Sequence, residues 1–408
     1  MEVRRIVVFL STIFILFVSV QAEAIPAFAR TKHMPCSSCH SAYPSLNAFG
    51  RDFKTNGYRV SPVSMDKADT MESDFSKGVD KLPIAVSIIS RPYISNDPGG
   101  SADQTTEIRA IHEAEIFVGG VFYQKLSGFM EYEAEGEDGF GAVLGSTVLN
   151  YDAADAAHVQ LAYAPSFFAD PYDTLSDMRK LSSEHYNITN DTFYDNADNG
   201  GKFRHSRQQV SVFGRVANNK LFYDVGIGGL TEDNVGNQSR VTFARVAFDV
   251  MPTVMVGAFG MNGTCKTDMV SDFATCDGAD SGAVATKDRD FSRVGFDFQA
   301  DVNQFRFTGV YMTVNDDVVN TNKSVSNNDY YLQAVYYGNA GNHPIVPMVR
   351  YQSSENNDGH DETKRVIAGV SYYLQDNFKA IAEVAKDTDV PSGSDESTDV
   401  VVELQAAF

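Results

Sequence analysis

From residue 81 to its end the chain is a succession of short stretches in which apolar and polar residues alternate with a period of two. That period belongs to β-strands, whose successive side chains point to opposite faces. The last ten residues show it plainly. Val400, Val402, Leu404, Ala406 and Phe408 fall on one face, and Asp399, Glu403 and Gln405 on the other. Similar two-faced runs occupy 241–250, 291–300, 304–314, 330–338, 366–374 and 378–386. Tight turns and longer polar loops join them in alternation. The tight turns are read at Gly119-Gly120, 217–220, Met251-Pro252, 301–303, 340–342 and Asp376-Asn377, and the long loops at 136–141, 231–238, 315–327, 354–362 and 387–397. Sixteen segments result, starting near residues 81, 105, 121, 142, 157, 204, 220, 239, 253, 289, 303, 328, 344, 363, 377 and 398.

Short connections on one side and long ones on the other predict an all-β fold, a transmembrane antiparallel β-barrel of about 16 strands. A soluble β-sandwich would alternate too. The strand number, the loop asymmetry, the closing strand that ends at Phe408 and the aromatic pairs Tyr330-Tyr331, Tyr336-Tyr337 and Tyr372-Tyr373 favour the membrane, the tyrosines being read as an interfacial girdle. In hydrocarbon every backbone N–H and C=O needs an internal partner, and only closure removes the sheet edges. The polar face must then turn inward. Glu113, Glu115, Glu131, Glu133 and Glu135 share one register and are expected in the lumen, opposed by Arg204, Arg207, Arg215, Arg240 and Arg245. The formal charge of −21 excludes nucleic acid as a partner, since phosphates demand Lys and Arg. It favours cations, or simply keeps acidic loops solvated.

The front of the chain reads differently. Arg4 and Arg5, the apolar run 6–20 and Ala22-Glu23-Ala24 form an export signal cleaved after residue 24. Soon after comes Cys36-Ser37-Ser38-Cys39-His40, the CxxCH pattern of covalent c-type haem attachment. Two intervening residues let both sulfurs reach the vinyl groups on one porphyrin edge, and the histidine follows as proximal axial ligand. A thioredoxin pair would need a βαβ context. A zinc site would need further ligands at close spacing, and the other cysteines, Cys265 and Cys276, lie more than two hundred residues away. Those two are expected to form a disulfide in an oxidising compartment.

The haem segment, 25–80, is too short to bury a stable core unaided. A porphyrin would complete it, packed by Tyr43, Leu46, Phe49, Phe53 and Tyr58, with Arg30, Lys32, Arg51, Lys54 and Arg59 available to its propionates. The sixth ligand stays open among Met65, Met71, His33, Met34, His158 and His205, or an open position. The loop 167–203 exceeds a normal connection. Its Phe167, Phe168, Tyr172, Tyr186, Phe193 and Tyr194 argue for an ordered loop folded into the pore.

Residues 28–58, with Phe28-Ala29-Arg30, the CxxCH and the stretch from Tyr43-Pro44-Ser45-Leu46-Asn47-Ala48-Phe49-Gly50-Arg51-Asp52-Phe53 to Tyr58, resemble the haem segment of outer-membrane cytochrome–porin fusions of the iron-oxidase type. The order of parts is similar too: signal peptide 1–24, haem segment 25–80, barrel 81–408. The resemblance implies one covalent haem c and a bacterial outer-membrane location among outer-membrane lipid. It also implies an electron path from extracellular Fe(II), or another external redox substrate, to a periplasmic c-type cytochrome. An iron(II) oxidase activity would follow. Outward delivery of electrons to external acceptors is the alternative, as is a solute-selective, phosphate-type porin with a structural or regulatory haem.

Overall fold

The computed structural model describes residues 27–60, 83–100, 102–136, 139–176, 181–189, 201–229, 240–267, 287–318, 323–356 and 358–408. Sixteen antiparallel strands close into one barrel. They are β1 (Ile84–Asp97), β2 (Thr105–Tyr123), β3 (Leu126–Glu135), β4 (Ala142–Ala154), β5 (Ala157–Ala164), β6 (Arg207–Val216), β7 (Leu221–Gly228) and β8 (Arg240–Met251). There follow β9 (Val254–Thr267), β10 (Lys287–Val302), β11 (Phe305–Val318), β12 (Lys323–Tyr336, resumed as Gly338–Ala340), β13 (His343–Asn356), β14 (Asp361–Gln375), β15 (Phe378–Asp389) and β16 (Thr398–Ala407). Closure runs through β16 and β1, from Thr398 opposite Asp97 to Ala407 opposite Ser87.

The wall carries apolar side chains outward as well as inward. In β8 the inward set is Val241, Phe243, Arg245 and Ala247, all buried, while Val246 and Phe248 on the outside are 47% and 41% exposed. Phe296, Val294, Val225 and Leu161 repeat the apolar exterior on other strands. Arginines and aspartates lie inside. A surface of that kind suits hydrocarbon, and the interior suits water and ion pairs.

Four expectations are corrected. Gly119-Gly120 is no turn; both lie in β2, and the chain reverses at Gln124-Lys125. A side chain at Gly119 would meet the Phe28 ring at 2.9 Å, so glycine there makes room for the N-terminal segment. The expected loops 315–327 and 354–362 are largely strand. Tyr331, Tyr337 and Tyr373 face the lumen rather than a girdle, because their hydroxyls find partners on the lumen contents. Arg240 sits exposed on the outward register of β8.

Residues 27–60 form a plug inside the barrel. Helix α1 (Ala27–Lys32) leads to a tight turn at Cys36–Ser38, a small hairpin pairing His40–Ala42 with Ser45–Leu46, and helix α2 (Ala48–Thr55). Asn47 caps α2 by accepting from Gly50 N at 2.9 Å, and its amide donates to the Ser37 and Ser38 carbonyls. The helix thereby grips the cysteine turn. Contact is so close that a Cβ at Gly50 would lie 2.1 Å from the Cys39 carbonyl oxygen.

The plug is fastened to the short-turn end of the barrel. Arg59 pairs with Asp152 and donates to Gln124 O. Arg306 donates to Ser45 Oγ at 2.7 Å and Leu46 O at 3.1 Å. Tyr373 donates to Tyr43 O, Tyr337 meets Ser45, and Asn219 donates to Asp52. Every wall partner stands close to a short turn. Above the plug, the long β5–β6 connection enters the lumen as expected, its Phe167, Tyr172, Leu175 and Tyr186 buried. Lys54 of α2 donates to the Phe168 and Asp170 carbonyls, tying plug to loop. Phe193 and Tyr194 lie outside the described residues.

Candidate functional site

Plug, loop and wall leave a lumen cavity of about 1580 Å³, larger than an ordinary small-molecule pocket. Cys36, Cys39 and His40 line it from the plug. His40 Nδ1 lies 2.9 Å from the Pro44 carbonyl oxygen. A carbonyl only accepts, so Nδ1 carries the proton and Nε2 is the basic nitrogen, the tautomer an axial imidazole needs. Burial, with a smaller contribution from the Asp376 charge, pushes the Cys36 thiol up to about 11, and burial raises Cys39.

The plug side of the cavity is aromatic. Phe28 stacks on Tyr58 at 5.1 Å and meets Phe53 edge-on at 5.3 Å. Tyr43 stands edge-on to His40 at 5.4 Å. Phe117, Phe129 and Phe168 continue the apolar lining on the wall and loop. Two thiols, an oriented imidazole and flat rings in one enclosure fit a planar apolar group held by two thioethers.

Towards the long-loop mouth the lining turns acidic. Glu113 is paired with Glu135 and Glu115 with Glu133 across β2 and β3, and Glu131 stands opposite Phe117. All five carboxylates face the cavity, as their register predicts. The carboxylate oxygens of Glu113, Glu115 and Glu133 lie within 4.8 Å of one another. Arg91 pairs with Glu403 at 3.0 Å on the same wall, and Arg204 and His205 flank the mouth.

The structure sorts the expected ligands. Met34 and His205 line the cavity. His158 does not; it is buried in the wall, 2.7 Å from Asp152 and stacked on Phe213. His33 is exposed outside the cavity. Met65 and Met71 lie outside the described residues, as do Cys276 and the signal peptide. Cys265 is on β9, its side chain also outside them. Of the expected propionate partners, Lys32 and Lys54 line the cavity. Arg30, Arg51 and Arg59 instead serve the plug: Arg30 donates to Ile84 O, Arg51 lies over the Tyr172 ring, and Arg59 holds Asp152. Phe49 faces outward, 37% exposed, while Phe28 takes the packing place expected of it. The packing role of Phe28 and the lumen places of Arg91, His112 and Lys379 were not foreseen from the sequence. Arg91 and Lys379 were legible only through strand parity, once the lumen face was fixed; His112 was not, since a register shift between its flanking pairs brings it to the same face as the adjacent Glu113.

No protein-family model matches the sequence, and no curated protein matches it. Solved structures do. An anion-selective porin from Comamonas acidovorans superimposes with a TM-score of 0.58 at 11% identity, over 80% of this chain and 98% of the porin. OmpT of Vibrio cholerae, in its trimer form, gives 0.56 at 13% identity over 80% and 99%. Salmonella typhi OmpF, in complex with daunomycin, gives 0.53 at 16% over 80% and 97%. At such identities the likeness is one of fold: the barrel is porin-type.

Proposed function

We propose that this chain is an outer-membrane cytochrome–porin that carries one covalent haem c in its lumen and moves electrons between the cell exterior and the periplasm. The observation that carries this reading is the CxxCH turned into a lumen cavity, with His40 oriented by Pro44 O. When bound, a haem supplies a one-electron relay. The chain's own residues do the rest. Cys36 and Cys39 tether, His40 ligates, the Phe28, Phe53 and Tyr58 rings exclude water, and the barrel closes every sheet edge against lipid. Electron supply by extracellular Fe(II) and onward passage to a periplasmic c-type cytochrome follow from the resemblance of residues 28–58 to iron-oxidase-type fusions. The acidic lining between the long-loop mouth and the cysteines supports a cationic donor, which a negative, low-dielectric channel would concentrate. Fastening at the short turns, the periplasmic end in barrels of this kind, would bring the plug within reach of a soluble carrier.

The test uses full-length protein matured in a host with c-type haem machinery. A pyridine haemochrome should appear in the outer-membrane fraction and vanish in Cys36→Ala with Cys39→Ala. Anaerobic mixing with Fe(II) should reduce the wild-type haem, and His40→Ala should abolish that reduction. A low midpoint potential with no reduction by Fe(II) would favour outward electron delivery instead. Open-channel phosphate conductance indifferent to redox state would favour the solute porin.

A further inference from the structure

Lys379 begins the inward register of β15 and is only 4% exposed, yet it lines the lumen cavity. Among the described residues no carboxylate reaches its ammonium within ion-pair distance. Its contact is the Tyr43 ring, 5.6 Å from Nζ. The same ring lies 5.4 Å from His40, so lysine and imidazole flank one tyrosine. The neighbouring cations are otherwise engaged: Arg91 by Glu403, Lys54 by the Phe168 and Asp170 carbonyls. Glu403 and Glu115 favour its charge only from beyond ion-pair distance; a buried ammonium held that loosely is costly, and an anion entering the cavity would compensate it.

Resting on the haem reading above, we infer that Lys379 receives a propionate carboxylate of the tethered porphyrin, fixing its orientation and holding positive charge beside it. Lys379 then acts as a positioning residue. Its charge stabilises the reduced state, which carries one positive charge fewer at the iron. Lys32, also on the cavity, is the expected partner for the second propionate.

Potentiometry of the haem-loaded, full-length protein tests this with three forms: wild type, Lys379→Met and Lys379→Arg. Methionine keeps the unbranched stem and removes a buried charge, so the barrel should stay folded, as heat-modifiable gel migration will show. In Lys379→Met the reduced-to-oxidised ratio at fixed potential should fall about tenfold, about 59 mV for a one-electron couple. Lys379→Arg should restore most of it. An unchanged midpoint in Lys379→Met, or an equal fall in both variants, overturns the inference. So does loss of a low-spin ligand-field band in Lys379→Met alone, which would make the lysine an iron ligand. Wild-type protein without a haemochrome signal would instead overturn the reading on which it rests, and the inference with it.

Discussion

At the scale of single residues, the lumen spends its charged and aromatic side chains on fastening. Arg59, Arg306, Tyr337 and Tyr373 each close a contact between plug and wall. The Cys36 thiol shows how enclosed the result is, pushed up to about 11 by burial and then by Asp376. A raised thiol value means less thiolate at any pH below it, and thiolate is the reactive form. In haem-free protein, alkylation of Cys36 by iodoacetamide at pH 8 should therefore run about a hundredfold slower than in the urea-unfolded chain. The rate should rise tenfold per pH unit up to about pH 11. Equal rates in folded and unfolded protein would show the thiol open to water and not enclosed.

Among the elements, a buried cluster is one of the anchors that hold the β5–β6 loop in the lumen, beside Arg350 on the Glu184 and His185 carbonyls. Arg245 of β8 makes a bidentate pair with Asp297 of β10 at 2.8 and 2.9 Å and reaches Asp170 of the loop at 3.0 Å. Thr174 donates to Asp297 at 2.7 Å, and Tyr331 donates to the Thr174 carbonyl. Removing the arginine leaves two carboxylates buried without their cation. Arg245→Ala should cost about 3–5 kcal/mol, read as a lower unfolding temperature in detergent and as new protease cleavage between 165 and 189. An unchanged melt and cleavage pattern would mean the cluster does not hold the loop. Little of this was visible in the sequence. The sixteen strands were, because period-two alternation survives wherever one face meets lipid and the other water. The glutamate register on β2 and β3 was visible for the same reason. Parity says which face a residue occupies only after the strand is correctly phased, and residue type alone points Tyr331 and Tyr373 outward. Gly119-Gly120 looked like a turn because glycine marks close backbone approach as readily as reversal. The partners of Arg51 and Arg59 were beyond reach, since contacts across more than ninety residues leave no local pattern.

For the whole molecule, these contacts decide whether the barrel is a pore. A porin-type wall around an empty lumen conducts ions; here plug and loop occupy much of the lumen, and the described residues leave a cavity lined from Lys379 and Gln405 near the short turns to Glu107 and Glu135 near the long loops. The plug, residues 27–60, is too small to fold by itself, so its order depends on the wall. The wall does not depend on the plug, because its backbone hydrogen bonds run strand to strand. Breaking Arg59–Asp152 and Arg306–Ser45 together should therefore loosen the plug, which keeps its Tyr373 and Lys54 contacts, and spare the barrel. In planar bilayers the wild-type protein should show conductance far below that of an open sixteen-stranded porin. Arg59→Ala with Arg306→Ala should add intermittent, porin-sized openings, while heat-modifiable migration stays unchanged. Those openings should select for cations, since Glu113, Glu115, Glu131, Glu133 and Glu135 would then line a continuous path. Wild-type conductance at the full porin level would mean that plug and loop do not block the lumen.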